Sequence, residues 1–98
     1  MEMRMNGVIL AGRIVSGPIE RPSGRVYFRL NADDDQKAFP CFCDGLTATN
    51  LMENCATGDE CAVDSGELCW VTFTGESRPE LYIYARYISY GRKANTLR

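Results

Sequence analysis

Alternation of apolar and polar positions divides the chain into six short elements. Residues 6–15 (Asn-Gly-Val-Ile-Leu-Ala-Gly-Arg-Ile-Val) are rich in β-branched side chains and bounded by turn formers, which predicts a strand. Gly12 within it predicts a bulge or sharp bend. Ser16-Gly17-Pro18 ends the run, and Arg21-Pro22-Ser23-Gly24 marks a second turn. Residues 25–32 alternate cleanly, with Val26, Phe28 and Leu30 on one face and Arg25, Tyr27 and Arg29 on the other. Residues 37–43 predict a third strand, in which Pro40 removes a ladder donor and so calls for an edge or a bulge. Residues 46–56 carry a helical repeat, with Ala48, Leu51, Met52 and Cys55 at i, i+3, i+4 and i+7. Thr47 is its expected N-cap and Gly58 its stop. Residues 60–74 return to β pattern past Gly66, and 75–79 form a hairpin loop. In the final strand, 80–90, Leu81, Ile83, Ala85 and Tyr87 share one face, and Tyr82, Tyr84, Arg86 and Ile88 the other.

Three strands, a short helix and two strands are the element order of an OB-fold. This is an all-β, five-stranded Greek-key barrel with one helix between strands three and four. Residues 1–90 are expected to form that domain and 91–98 a polar, basic, mobile tail. A length of 98 residues fits one domain and not two. No apolar run reaches the ~18–20 residues of a membrane span, and the first five residues lack a secretory leader's apolar stretch. The expectation is a cytoplasmic protein with no membrane partner.

The chain has no histidine, which removes the commonest general acid/base and the commonest metal ligand. A non-catalytic protein without metal or cofactor is therefore expected. Cys41, Cys43, Cys55, Cys61 and Cys69 include no C-x2-C pair, so they read as small apolar fillers in a reducing compartment rather than a zinc site or redox pair. Asp33-Asp34-Asp35 lacks the further ligands and glycine of a calcium loop and reads as a solvated turn.

Net charge is −2, yet its distribution is uneven. Residues 1–32 carry five Arg against Glu2 and Glu20. Residues 33–67 carry Lys37 against nine carboxylates, and residues 68–98 carry five cations against Glu76 and Glu80. If the two ends meet in the fold, an acidic chain can present one basic face. Most of its cations are Arg, which both pairs with phosphate and stacks on bases.

The run Asn6-Gly-Val-Ile-Leu-Ala-Gly-Arg-Ile14, followed by Pro18-Ile-Glu-Arg21 and Pro22-Ser-Gly24, resembles the opening of bacterial single-stranded DNA-binding proteins. Gly45 and Gly58 are spaced like the glycines that bracket that family's helix. Gly58-Asp-Glu-Cys-Ala-Val-Asp-Ser-Gly-Glu-Leu68 is similar to its next stretch, with one residue inserted. With a short chain that has no acidic, Phe-terminated tail, the likeness is nearest to the dimeric primosomal replication protein N type. The resemblance implies an OB-fold homo-oligomer, dimer or tetramer, acting on single-stranded DNA in replication, recombination or primosome assembly alongside other proteins of those processes. RNA is the other candidate ligand. Two of the family's stacking positions fall on Ala38 and Asp44, which cannot stack. A third falls on or near Phe73, which can.

The residues point to the same chemistry independently. Single-strand binding requires aromatics for bases and cations for phosphates. Arg25, Tyr27 and Arg29 supply both on one strand, and Tyr82, Tyr84 and Arg86 on another, with Phe73 as a further platform. Arg13 is expected to complete the patch, and Arg92 and Lys93 to add a basic arm. For Tyr82 and Tyr84 the alternative is covering the barrel or a dimer interface. Trp70 is either a core or interface residue or a base platform. A second functional class stays open: an OB-fold protein-interaction subunit with weak or no DNA binding, docking through its acidic middle.

Overall fold

One sheet closes on itself because each strand has an apolar face that must leave water. The structure, a computed structural model, describes residues 7–32 and 37–94. Its elements are β1 (Val8–Glu20), β2 (Val26–Asn31), β3 (Ala38–Cys43), α1 (Gly45–Asn54), β4 (Glu60–Val71) and β5 (Glu80–Tyr90). The strands form a closed barrel in the order β1-β2-β3-β5-β4, the expected OB-fold. Ile14, Val26, Phe28, Leu30, Cys41, Cys43, Val63, Ile83 and Ala85 fill the interior, and Ala48 and Leu51 of α1, with Cys55 just after it, plug one end. No helix among the described residues is long and apolar enough to cross a membrane. The Asp33–Asp35 turn lies outside the described residues.

β1 runs through the predicted break at Ser16-Gly17-Pro18. Its first half pairs with β4, from Val8↔Gly66 to Arg13↔Glu60, and its second half with β2, from Arg13↔Asn31 to Glu20↔Val26. Register shifts on either side of Ser16 let the strand bend from one partner to the other. Gly17 has φ +87°, and a Cβ there would lie 2.6 Å from the Tyr27 carbonyl oxygen, so a glycine accommodates the bend. The bulge expected at Gly12 is absent: its pairing with Cys61 is regular. A Cβ at Gly12 would instead sit 2.7 Å from the carbonyl carbon of Asn31 and closer still to its oxygen, so the glycine serves the crossing of two backbones.

The helix begins earlier than its apolar repeat suggests. Asp44, not Thr47, is the N-cap, and its side chain makes no capping hydrogen bond. Thr47 lies inside the first turn and donates its hydroxyl proton to the Arg86 carbonyl oxygen at 2.8 Å, tying α1 to β5. Pro40 is accommodated because β3 meets β5 only at Cys41 and Phe42, leaving Pro40 beyond that ladder.

The start of the predicted mobile tail is anchored. Glu60 N–H donates to the Arg92 carbonyl oxygen at 2.8 Å, and Gly91 N–H to the Glu60 carbonyl oxygen at 2.9 Å. Buried Asp59 accepts from the backbone N–H groups of Ala94, at 2.7 Å, and Ala56, at 3.0 Å. These bonds hold the Asp59 carboxyl below the usual range, against the opposing effect of burial; Lys93, 3.7 Å away, adds to them.

Candidate nucleic-acid interface

Strand alternation that fills the barrel on one side exports aromatics on the other. Tyr27 leaves β2 outward between Val26 and Phe28, and its register partner on β3 is Phe42. Phe42 in turn faces Tyr84 of β5 across the parallel ladder. Tyr82 points the same way two residues earlier, opposite Cys69. The β4–β5 hairpin curls over this face and delivers Phe73. The result is a second apolar cluster, outside the barrel, made of Phe42, Val71 and Tyr82 with Tyr27, Cys69, Phe73 and Tyr84 packed against them.

Tyr27 is its hub. Its ring lies 5.6 Å from Phe42 in a stacked arrangement, 5.4 Å from Phe73, and 5.7 Å edge-on from Tyr82. Phe42 lies 5.2 Å from Tyr84, and Phe73 lies 5.7 Å from Tyr82. These separations are those of favourable aromatic pairs, each worth roughly 0.5–1.5 kcal/mol beyond area burial. Phe42 keeps 2% of its surface exposed and Tyr82 8%; Tyr27, Phe73 and Tyr84 are half-buried. The family-like stacking position at Asp44 is put to another use: Asp44 Oδ1 accepts the Tyr84 hydroxyl proton at 2.7 Å. That bond, with burial second, raises the Tyr84 phenol above its usual range.

Arginines cover the cluster. The Arg25 guanidinium carbon lies 4.7 Å above the Phe42 ring centre, and that of Arg86 lies 5.7 Å above Tyr84. Arg21 spans two rings, at 5.3 Å from Phe73 and 5.8 Å from Tyr27. A turn places it there: Arg21 N–H donates to the Arg25 carbonyl oxygen at 2.8 Å, and Gly24 N–H to that of Arg21 at 2.9 Å. Arg29 is exposed on the same face of β2. Burial raises the Tyr82 phenol first, and the Glu80 charge next, while Arg29 and Arg21 oppose the rise.

Six of the residues expected from sequence therefore meet here: Arg25, Tyr27, Phe73, Tyr82, Tyr84 and Arg86, with Arg29 at the edge. Three others stand elsewhere. Arg13 donates to Glu60 Oε2 at 2.9 Å and to the Gly58 carbonyl oxygen at 2.6 Å, across the β1–β4 seam. It lines a groove of about 530 Å³ with Gly12, Asn31, Glu60 and Tyr90. Arg92 and Lys93 adjoin Asp59 and Glu60 rather than the aromatic face.

Phe42 and Arg21 belong to the face and escape the sequence reading. Phe42 had a signal: it alternates with Cys41 and Cys43, which point inward. Arg21 stood in the sequence only as the end of the Pro18-Ile-Glu-Arg21 run, because its contact with Phe73 joins two distant hairpins. Trp70 is not a core residue. It is 67% exposed and pairs with Leu81, 42% exposed, on the side of the hairpin turned away from the cluster. The predicted faces of β5 also change along its length. Ile83 and Ala85 point inward, but β4 shifts register around Ser65, so Ile88 packs on the core while Tyr87 is exposed.

Four cysteines are buried and the fifth, Cys69, is partly exposed. Burial pushes the thiols of Cys41, Cys43 and Cys61 up to about 12. Among the described residues no group of Cys, Asp and Glu is arranged to hold a metal ion.

No family model and no curated protein matches the sequence. Solved structures do: 39 chains are similar. One is the crystal structure of a small single-stranded DNA-binding protein from Streptomyces coelicolor, with TM-score 0.71 and 25% identity, covering 92% of this chain and 96% of that one. The barrel is thus shared with that protein over nearly the full length of both chains.

Proposed function

We propose that this chain is a non-catalytic, sequence-tolerant binder of single-stranded DNA. The observation that carries the reading is the outer face, where five rings and the guanidinium groups of Arg21, Arg25 and Arg86 converge within about one hairpin's width. Rings accept bases of any sequence, and arginines accept phosphates. Duplex DNA hides its bases, so a face of this kind favours single strands. The likeness to a small single-stranded DNA-binding protein supports the same reading.

In this account the strand crosses β2, β3 and the curled β4–β5 hairpin. Tyr27, Phe73 and Tyr84 offer ring surface, Phe42 and Tyr82 support them from below, Arg21, Arg25 and Arg29 hold phosphates, and Arg86 joins them when it leaves Glu67. Arg13, Arg92 and Lys93 contribute only to a longer strand that continues around the barrel. Two copies pair through sheet edges: among the described residues, 8–12 of β1 have β4 on one side and no strand on the other, and Ile9 within that stretch is exposed. The biological setting follows the sequence resemblance: replication, recombination or primosome assembly in the cytoplasm, the last matching the primosomal replication protein N type.

Anisotropy of a labelled thymidine 30-mer, titrated at low and moderate salt, tests this. Saturable binding that weakens with salt is expected. No binding at low salt would refute it and leave the protein-interaction subunit as the better account.

A further inference from the structure

We infer that bases stack on the guanidinium planes of Arg21 and Arg25 as well as on the open rings, and that the rings beneath these arginines hold the planes in place. The inference rests on the single-strand reading above and specifies its mode of contact. Phe42 is almost fully buried, so its ring face cannot serve as an open platform. What lies above it is Arg25, 4.7 Å from the ring centre. The Arg21 guanidinium carbon stands near two rings tilted 52° to each other, 5.3 Å from Phe73 and 5.8 Å from Tyr27. A base arriving above Phe42 therefore meets arginine first.

Both arginines suit the role. Among the described residues no carboxylate lies within ion-pair distance of either, whereas Arg13 is paired with Glu60 and Arg86 with Glu67. A guanidinium is planar and weakly hydrated, and stacks on a ring with one face while offering the other. The ring fixes its orientation in advance, so less freedom is lost on binding. A lysine at either position would keep the charge and lose the plane.

That difference supplies the test. The Arg21→Lys/Arg25→Lys protein is compared with wild type on a thymidine 30-mer and on an abasic deoxyribose-phosphate oligomer of equal length. Each substitution is expected to weaken thymidine binding about two- to five-fold, the range of an exposed cation–π contact, and the double variant therefore about 4- to 25-fold, with the salt slope unchanged. Binding to the abasic strand is expected to be the same for both proteins. Matching thermal melts verify that the variant is folded, and the single variants Arg21→Lys and Arg25→Lys carry the same comparison if the double variant melts early. Equal thymidine affinity for both proteins would overturn the inference, as would equal losses on the two strands, which would make the arginines phosphate contacts only. Failure of wild type to bind either oligomer would overturn the single-strand reading, and this inference with it.

Discussion

Replacing Glu67 with Gln should strengthen single-strand binding, because Glu67 holds an arginine of the binding face. Glu67 Oε1 accepts from Arg86 Nη2 at 3.0 Å, with both side chains partly exposed. A pair of this kind contributes at most about 1 kcal/mol to stability after solvent screening, so the variant should fold normally. The effect on binding is larger. Arg21, Arg25 and Arg29 have no carboxylate at ion-pair distance among the described residues. Three neutralised phosphates correspond to a salt slope of about −2.1, at roughly −0.7 per charge. Releasing Arg86 adds a fourth and steepens the slope to about −2.8. Between 50 and 200 mM salt, affinity should then fall about 50-fold for Glu67→Gln against about 20-fold for wild type. Anisotropy of a labelled thymidine 30-mer across that range reads both slopes. An unchanged or shallower slope in a variant with a normal melt would refute the placement of Arg86 on the nucleic-acid path.

Gly12→Ala should destabilise the barrel, because the new Cβ runs into the Asn31 backbone where β1 crosses β2. Overpacking costs about 1–3 kcal/mol, and each kcal/mol lowers Tm by roughly 4–8 °C in a domain of this size. Gly7→Ala, with nothing within 4 Å, should melt as wild type, and equal melts for the two variants would contradict the crossing. Native protein at pH 8 should alkylate quickly at Cys69 alone, since a thiol near 12 is thiolate at about one part in ten thousand; all five should react after unfolding. Asp59→Asn should be less stable than wild type at pH 7. The lowered Asp59 carboxyl contributes stability that is complete above the ordinary Asp value of about 3.9 and is lost as pH falls through the folded value, so the gap should narrow progressively in melts taken below about pH 3.9.

The parts of this molecule legible in sequence are those set by local periodicity. Alternation over residues 25–32 placed Val26, Phe28 and Leu30 inside and Tyr27 and Arg29 outside, as found. The helical repeat located α1, although its cap lay three residues upstream of Thr47, since Asp44 does its capping without a side-chain hydrogen bond. What stayed hidden depends on distant partners. β1 passes Pro18 because its second half has β2 to pair with, and no local signal reports that. Arg13 looks like a free cation until Glu60 is brought opposite it. Phe73 and Arg21 come from different hairpins, and only the curl of β4–β5 over β2 joins them. Trp70 and Leu81 look like core residues in a strand pattern and are exposed because they pair on the face of the hairpin opposite the aromatic cluster.

Single strands are proposed to bind at the aromatic–arginine face. Backbone amide chemical-shift mapping of the isotope-labelled protein, titrated with a thymidine oligomer, tests this placement. The largest shifts are expected in residues 21–29, at Phe42, in residues 69–73 and in residues 82–86. Largest shifts around Gly12, Asn31, Glu60 and Ser89, lining the groove beside Arg13, with the aromatic face silent, would contradict it.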